Sequence, residues 1–405
     1  MQNKITKIWA EEIKDSRGNP TIKVTVWSEE KFDSFSVPSG ASTGLHEAHE
    51  LRDADGKGVN DAINKINNII APALVGQDIS NQKEIDRIML ALDGTPNKDN
   101  LGGNSTIGVS IACAKAGARA TGLEVFEHLR MLSEMKPSRR IPHLYMNLIN
   151  GGKHAKNNLA FQEYHVVSNT EDAREAVEMG VKIQNTLKKI ITRELGEDSL
   201  VLGDEGGYAP LVSDIEKPLL YLVEAIKENK LTGKVRLALD VASTSFYNDG
   251  FYKVDGKDIS KEDLKNKYEY LIKDFKLLSI EDPFYEEDFT SFRILKEDNS
   301  PLLVVGDDLT VTNTLLLDKA INESSINAMI IKPNQIGTLS ETLDTMRKAR
   351  ENGIELIVSH RSGETDDDFI ADLAYAFGCF GLKSGAPLKP ERKVKYDRLI
   401  KISEG

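Results

Sequence analysis

The sequence predicts an α/β protein in which an N-terminal α+β domain is followed by a (β/α)8-type barrel. Three observations predict it. Residues 5–27 alternate in period two around a turn-rich hexapeptide. The pattern changes near residue 143. Beyond that point, apolar runs that end abruptly in an ionisable residue alternate with helical periodicity. A chain of 405 residues is also longer than one small core usually serves, so a small domain plus a barrel suits its length.

Along the N-terminal part, Ile5 to Ile13 and Thr21 to Trp27 read as strands joined by Asp15-Ser16-Arg17-Gly18-Asn19-Pro20. A Gly- and Ser-rich loop follows, Pro38-Ser39-Gly40-Ala41-Ser42-Thr43-Gly44. Helical patterns then appear near residues 58–73, 81–93 and 104–119. Residues 1–135 therefore read as a small α+β domain. Residues 136–142 read as a linker, because Pro137 and Pro142 break periodic structure. Residues 143–405 read as the barrel.

In the barrel region the apolar runs are Leu200 to Glu205, Leu237 to Asp240, Leu277 to Glu281, Leu302 to Asp307, Met329 to Lys332, Ile354 to His360 and Cys379 to Lys383. From Asp240 onward the spacing suits one strand, one helix and two loops per unit. Ser260-Lys261-Glu262-Asp263 can cap a helix start, and the periodic stretch from Ser340 to Arg350 stops at Gly353. Seven or eight such units close a barrel.

The strand ends carry the chemistry. In a barrel of this kind all C-terminal strand ends face one mouth, where sites are built. Glu205, Asp240, Glu281, Asp307, Lys332, His360 and Lys383 are thus expected to converge on one cavity. Capping of the following helices would explain single acids, but Lys and His make poor N-caps. Asp240, Glu281 and Asp307 put three carboxylates on consecutive strands. Unpaired, they would repel one another strongly, and a hard divalent cation such as Mg²⁺ resolves this. Neighbouring cations would favour a neutral Lys332 amine, able to act as a base. Burial would raise the Glu205 pKa towards that of a general acid.

Composition excludes several other classes. With 40% hydrophobic and 29% charged residues, the chain is a soluble globular protein. A net charge of −12 makes it a poor non-specific partner for nucleic acid or an anionic membrane, and no apolar stretch is long enough to span a bilayer. Two distant cysteines, Cys113 and Cys379, form neither a disulfide framework nor a metal knuckle. Cys113 reads as a buried, inert thiol. Met1 to Ile5 carry no signal-peptide core, so a cytoplasmic location is the expectation. Among the seven histidines, His46, His49, His128, His143 and His165 read as surface or packing residues. Asp366-Asp367-Asp368 reads as a helix start rather than a metal site.

Five longer motifs resemble the enolase family. They are Asp15 to Thr21, Ser39 to Gly44, Gly203-Asp204-Glu205-Gly206-Gly207-Tyr208-Ala209-Pro210, Lys332-Pro333-Asn334-Gln335-Ile336-Gly337-Thr338 and Ser359-His360-Arg361-Ser362-Gly363-Glu364-Thr365. They occur in family order and the resemblance runs over almost the whole chain. A Lys or His base working with one or two Mg²⁺ ions is itself a known general pattern of the enolase superfamily, and that assignment comes from the pattern.

The resemblance implies an enolase-like fold, an N-terminal capping domain with a mobile loop and a C-terminal TIM barrel. It implies Mg²⁺-dependent, reversible dehydration of 2-phosphoglycerate to phosphoenolpyruvate. By position, Asp240, Glu281 and Asp307 match the ligands of a first Mg²⁺, and Ser42 a ligand of a second that arrives with substrate. Lys332 matches the base that takes the C2 proton. Glu205, with Glu163 beside it, matches the acid that assists loss of the C3 hydroxyl. Arg361 and Ser362 match phosphate contacts, Lys383 a contact to the substrate carboxylate, and His154 and His360 the substrate-binding histidines. The family is usually a homodimer, sometimes an octamer, and some members have secondary surface or scaffold roles.

The sequence departs from the family pattern at Ala160, at Thr244-Ser245 and at Gly103 to Thr106, none of which is a matched site residue. Two other readings stay open. One is an acid-sugar dehydratase or racemase of the same superfamily, which the Ser42 loop and the Arg361-Ser362 pair disfavour. The other is a binding role without catalysis, which predicts a degraded site.

Overall fold

The computed structural model describes residues 3–41 and 44–405. Strands β1 (Ile5–Lys14), β2 (Pro20–Ser28) and β3 (Lys31–Ser36) form an antiparallel sheet in that order. The turn between β1 and β2 is held by Asp15, whose Oδ1 accepts from the backbone N–H groups of Arg17 (2.9 Å) and Asn19 (2.8 Å). The third strand was not expected, because Lys-Phe-Asp-Ser-Phe-Ser buries only its last two residues and lacks a clear alternation. On the buried face of the sheet, Val24, Val26 and Phe35 of β2 and β3 pack on the helix Gly103–Thr121, and β1, with Ile8 and Ala10, packs on the helical segment 60–74. That helix is rich in small residues. A Cβ at Gly108 would lie 2.9 Å from Val24 Cγ2, so glycine permits the close approach.

The expected helices are present. Asn60–Lys65 continues through a π-helical turn, Ile66–Ile70, into Ala71–Leu74, and Gln82–Asp93 follows. A further helix, Val125–Leu132, was not anticipated. Residues 133–142 form neither helix nor strand.

The barrel strands are β4 (His143–Asn150), β5 (Glu163–Ser168) and β6 (Val235–Asp240). A small antiparallel sheet interrupts, β7 (Tyr247–Asn248), β8 (Phe251–Val254) and β9 (Lys257–Ser260). Then come β10 (Ser279–Glu281), β11 (Leu303–Gly306), β12 (Ala328–Ile331), β13 (Glu355–Ser359) and β14 (Gly381–Lys383). The closed order is β4-β5-β6-β10-β11-β12-β13-β14. Neighbours are parallel except that β5 runs antiparallel to both β4 and β6.

Six of the seven predicted runs are barrel strands. The seventh, Leu200 to Glu205, is not. Leu202 makes only an isolated bridge to Tyr208, and Val201 and Leu202 are half-exposed, so this apolar run never gains the burial that a barrel strand needs. Its place is taken by β4 and β5. They are joined directly as an antiparallel pair and so lack the strand–helix rhythm on which the prediction relied. The helix signals fare better. Ser260 caps Lys261–Phe275 in a reciprocal arrangement with Asp263, and Leu339–Glu351 ends just before Gly353.

Several contacts among the described residues seat the first domain on the barrel. Ser39 and Gly363 exchange backbone hydrogen bonds of 2.8 and 2.9 Å. Asp86 Oδ2 accepts from the Ser340 N–H at 2.9 Å. Lys115 Nζ lies 2.8 Å from Asp367 Oδ2. Asp367 also accepts from the Phe369 N–H at the start of the helix Phe369–Ala376, so the triple-acid run is a helix start with one buried ion pair. No helix among the described residues is long and apolar enough to cross a membrane.

Two outcomes follow. Both thiols are buried, and burial pushes the Cys379 thiol up to about 12 and the Cys113 thiol higher still. A thiol reagent should therefore titrate neither cysteine in the native protein and both after unfolding. Lys115→Met strands the Asp367 carboxylate and should cost about 3 kcal/mol, read as a lowered denaturation midpoint.

Candidate active site

Register sets the site. Antiparallel β5 begins at the level where parallel β6 ends, so Glu163 pairs with Asp240 across that boundary, and Asp240 pairs with Glu281 on the next strand. Asp307 follows the end of β11 and Lys332 the end of β12. Lys383 ends β14 and is paired with Ser359 and Tyr145. Six positions from six different segments thus reach one mouth.

The buried Lys383 ammonium is the centre of the charge arrangement. Its Nζ lies 2.8 Å from Asp240 Oδ2, 3.0 Å from both Glu281 oxygens and 3.2 Å from Glu163 Oε2. Lys332 Nζ is paired with Asp307 Oδ2, and Gln335 Nε2 donates to Asp307 Oδ1 at 2.9 Å. Burial works against the charge of both lysines. The carboxylates outweigh it, and both ammonium groups are held above the ordinary lysine range. The expectation that the Lys332 pKa would be lowered is thus corrected for this arrangement, since Asp307 is close enough to win.

Glu205 sits on the loop 203–207 rather than at a strand end. The loop packs tightly on β4. A Cβ at Gly203 would lie 2.6 Å from Asn150 Cβ, and one at Gly207 would lie 2.5 Å from Asn150 Oδ1, so both positions require glycine. Asn147 Nδ2 donates to Glu205 Oε2 at 2.9 Å. His154 Nδ1 stands 3.3 Å from Glu163 Oε1 and 3.4 Å from Glu205 Oε1, and His360 Nε2 stands 3.4 Å from Glu205 Oε2. Burial and the neighbouring Glu163 push the Glu205 pKa up, yet His360 and His154 outweigh them and the carboxyl is held below its ordinary value. The expected rise does not occur, because two imidazoles flank the group. Glu163 is likewise held well below the usual range. Burial opposes this, but Lys383, His154 and His165 prevail.

Arg361 and Ser362 face the loop of the first domain. Arg361 is bound bidentately by Glu47, at 3.0 and 3.2 Å, and donates to Asn334 Oδ1 at 3.0 Å. Ser362 Oγ accepts from the Ala41 N–H at 2.6 Å. Glu47 also accepts from the Gly44 N–H at 3.0 Å. The Leu45 N–H donates to Glu286, whose own N–H donates to Thr244 Oγ1. A cavity of about 340 Å³ lies between Pro38, Glu47, Asn334 and Arg361. A recess of about 20 Å³ lined by His154, Glu163, Glu205, Lys332 and His360 shares Arg361 with it. Small organic anions suit a cavity of this size. Ser42 lies outside the described residues.

The donor set fits a hard divalent cation. Asp240, Glu281 and Asp307 are buried carboxylates, and burial raises the pKa of Asp240 and, further, that of Glu281, even with Lys383 between them. The cluster thus holds more negative charge than its two lysines balance comfortably. Among the described residues, two groups bring ligand atoms within 4.8 Å of one another, His154–Glu163–Glu205 and Asp282–Asp307–Asp308. Asp240, Glu281 and Asp307 do not converge so closely, since Lys383 and Lys332 stand among them.

Several site residues escaped the sequence reading. His165, read as surface or packing, is buried and lies 2.8 Å from Glu163 Oε2. The period-two spacing of residues 163 and 165 would have placed both on one face of a strand. Glu47, Asn147 and Arg392 carry no comparable signal, because each reaches the site across a long sequence separation, whereas Gln335 lies in the motif that begins at Lys332.

Two family models match the chain, one described as the enolase N-terminal domain over residues 5–129 and one as the enolase C-terminal TIM barrel domain over residues 138–405. Curated relatives agree. The chain is 45% identical over 408 residues to the enolase of Methanosarcina acetivorans, covering 99% of this chain and 94% of that protein. It is 44% identical over 406 residues to the enolase of Methanocaldococcus jannaschii, covering 99% and 95%. It is 44% identical over 412 residues to that of Methanopyrus kandleri, covering 99% and 96%.

Glu364 braces the loop that carries His360 and Arg361. It accepts from the Arg361 and Thr365 N–H groups at 3.1 and 3.0 Å and lies 2.7 Å from Lys395 Nζ. Burial opposes its charge, but Lys395 and Arg392 hold the carboxyl below its ordinary value. The folded pKa is below the unfolded one, so the stabilisation is full above about pH 4.3 and lost as pH falls through the folded value. Glu364→Gln should lower the thermal midpoint at neutral pH and flatten its acid-side decline, as followed by circular dichroism.

Proposed function

The chain belongs to the enolase family, and from that premise we propose that it is a phosphopyruvate hydratase that dehydrates 2-phosphoglycerate reversibly to phosphoenolpyruvate with Mg²⁺. The observation that carries this reading is the facing pair of walls at the barrel mouth. Lys332 with Asp307 forms one wall, and Glu205 with His154 and His360 forms the other.

In this reading the substrate phosphate takes the place of Glu47 on the Arg361 guanidinium, a fork suited to bidentate oxyanion contact, with Ser362 beside it. Lys383 supplies positive charge to the substrate carboxylate. Lys332 is an ammonium while Asp307 pairs with it. With Asp307 drawn away to a cation, Lys332 releases that proton to solvent, and the neutral amine then takes the C2 proton, which leaves a second negative charge on the substrate carboxylate. Glu205, with Glu163 beside it, is ionised in the free site, so in this reading it takes up a proton, with His154 at 3.4 Å as the nearest donor, before delivering it to the departing C3 hydroxyl. Asp240, Glu281 and Asp307 would hold a divalent cation, and Ser42 a second; such cations would offset the buried carboxylates and supply positive charge to the substrate carboxylate. Burial of Glu163 and Glu205 keeps water from competing for these protons. The family relationship further supports a cytoplasmic homodimer, with an octamer as the alternative that light scattering would distinguish.

The activity should appear as enol-phosphate absorbance from 2-phosphoglycerate and vanish with chelator; no Mg²⁺-dependent product would sink the reading. Two variants separate the proton steps. Lys332→Ala should slow exchange of the C2 proton with solvent by about 10³-fold, whereas Glu205→Gln should spare exchange and block dehydration. Equal loss of exchange in both would show the roles to be wrongly assigned.

A further inference from the structure

The last helix, Pro390–Glu404, places a guanidinium behind the wall that holds Glu205. Arg392 is wholly buried. Its NH1 group lies 2.5 Å from His360 Nδ1 and donates to Arg361 O at 2.6 Å. Its NH2 group donates to Ser362 O at 2.6 Å and to Asp204 O at 3.2 Å. One side chain thus ties the loop of Glu205 to the loop of His360. Lys389 Nζ adds a second tie to Asp204 O at 2.8 Å.

A guanidinium has five N–H donors and no acceptor. The nitrogen that faces it must therefore accept, so His360 Nδ1 carries a lone pair and the ring proton sits on Nε2. That nitrogen stands 3.4 Å from Glu205 Oε2 and has no hydrogen-bond partner among the described residues, so its N–H is a buried donor left for the recess beside Glu205. We propose that Arg392 is a positioning residue that fixes His360 as the neutral Nε2–H tautomer and so presents a hydrogen-bond donor to the recess beside Glu205.

The competing states are disfavoured for plain reasons. The Nδ1–H tautomer would set two donors against each other and turn the Nε2 lone pair towards a carboxylate. The imidazolium would add a cation to a cation at the same place. Burial lowers the His360 pKa; Glu205 opposes this and Arg392 reinforces it, and the net direction is down, in keeping with a neutral ring. The catalytic consequence rests on the dehydration reading above, whereas the tautomer does not.

The test uses the full-length chain labelled with ¹⁵N-histidine, without substrate, at neutral pH. Long-range proton–nitrogen correlations report which ring nitrogen is protonated, and His360 is assigned by the signal missing from His360→Gln. Wild type should show His360 protonated at Nε2 only. In Arg392→Met the signal should move towards the Nδ1–H form or a mixture, with kcat about 100-fold lower at unchanged KM, and Arg392→Lys should restore part of both. An imidazolium or an Nδ1–H ring in wild type would overturn the proposal. So would an unaltered tautomer in folded Arg392→Met. If Arg392→Met fails to fold, the wild-type spectrum and Arg392→Lys still decide it. A correct tautomer in a protein that does not turn over 2-phosphoglycerate would refute the substrate and leave the positioning role standing.

Discussion

Burying like charges together is the constraint on which this structure depends. Glu163, Asp240, Glu281 and Asp307 lose their water at one end of a closed barrel. An unpaired ion in such surroundings costs several kcal/mol, and four carboxylates also repel one another. Lys383 answers most of this charge alone, touching three of the four, and Lys332 answers Asp307. Because Lys383 lies on the strand that closes the barrel, the ion pairs across the mouth and the closure of the sheet support each other.

The same constraint explains why the mouth holds its acids in different states. Glu205 and Glu163 are surrounded by imidazoles and ammonium and stay below their ordinary values. Burial pushes Asp240 and Glu281 up, with Glu163 adding to the first and Asp240 to the second. Environments that separate the pKa values of similar groups are what acid–base chemistry on one fold requires. The outer supports are neutral or cationic donors brought from afar: Asn147 from β4, His165 from β5, Gln335 after β12 and Arg392 from the final helix. The first domain contributes Glu47 to Arg361, which makes that side of the cavity a joint product of both halves of the chain.

Much of the fold is legible in the residues. Alternation marks β1 and β2, caps mark the helices, and six apolar runs with an ionisable terminus mark six barrel strands. The misread elements share a cause. β4 and β5 form a hairpin within an otherwise parallel barrel, and an antiparallel pair leaves no strand–helix rhythm to detect. The run Leu200 to Leu202 looks like a strand because apolar composition is a proxy for burial, and here that proxy fails. At the site, the ionisable residues of the barrel mouth are legible because each ends a run or lies in a long motif. Glu47 and Arg392 are not, since their partners are distant in sequence, whereas His165 lies two residues from its partner Glu163 and that spacing is the signal that marks it.

Protonation was the least legible property of all. Burial alone argues for a raised Glu205 and a lowered Lys332, and both directions reverse once the flanking imidazoles and Asp307 are within 3.4 Å or closer. What the sequence by itself determined was the inventory: which acids, bases and glycines are present, on which local elements, and in the order of one family. What only the tertiary structure decided was which of them touch. Local periodicity encodes the face on which a side chain lies. The electrostatic state of a buried group is instead set by charges a few ångströms away, from segments up to hundreds of residues distant.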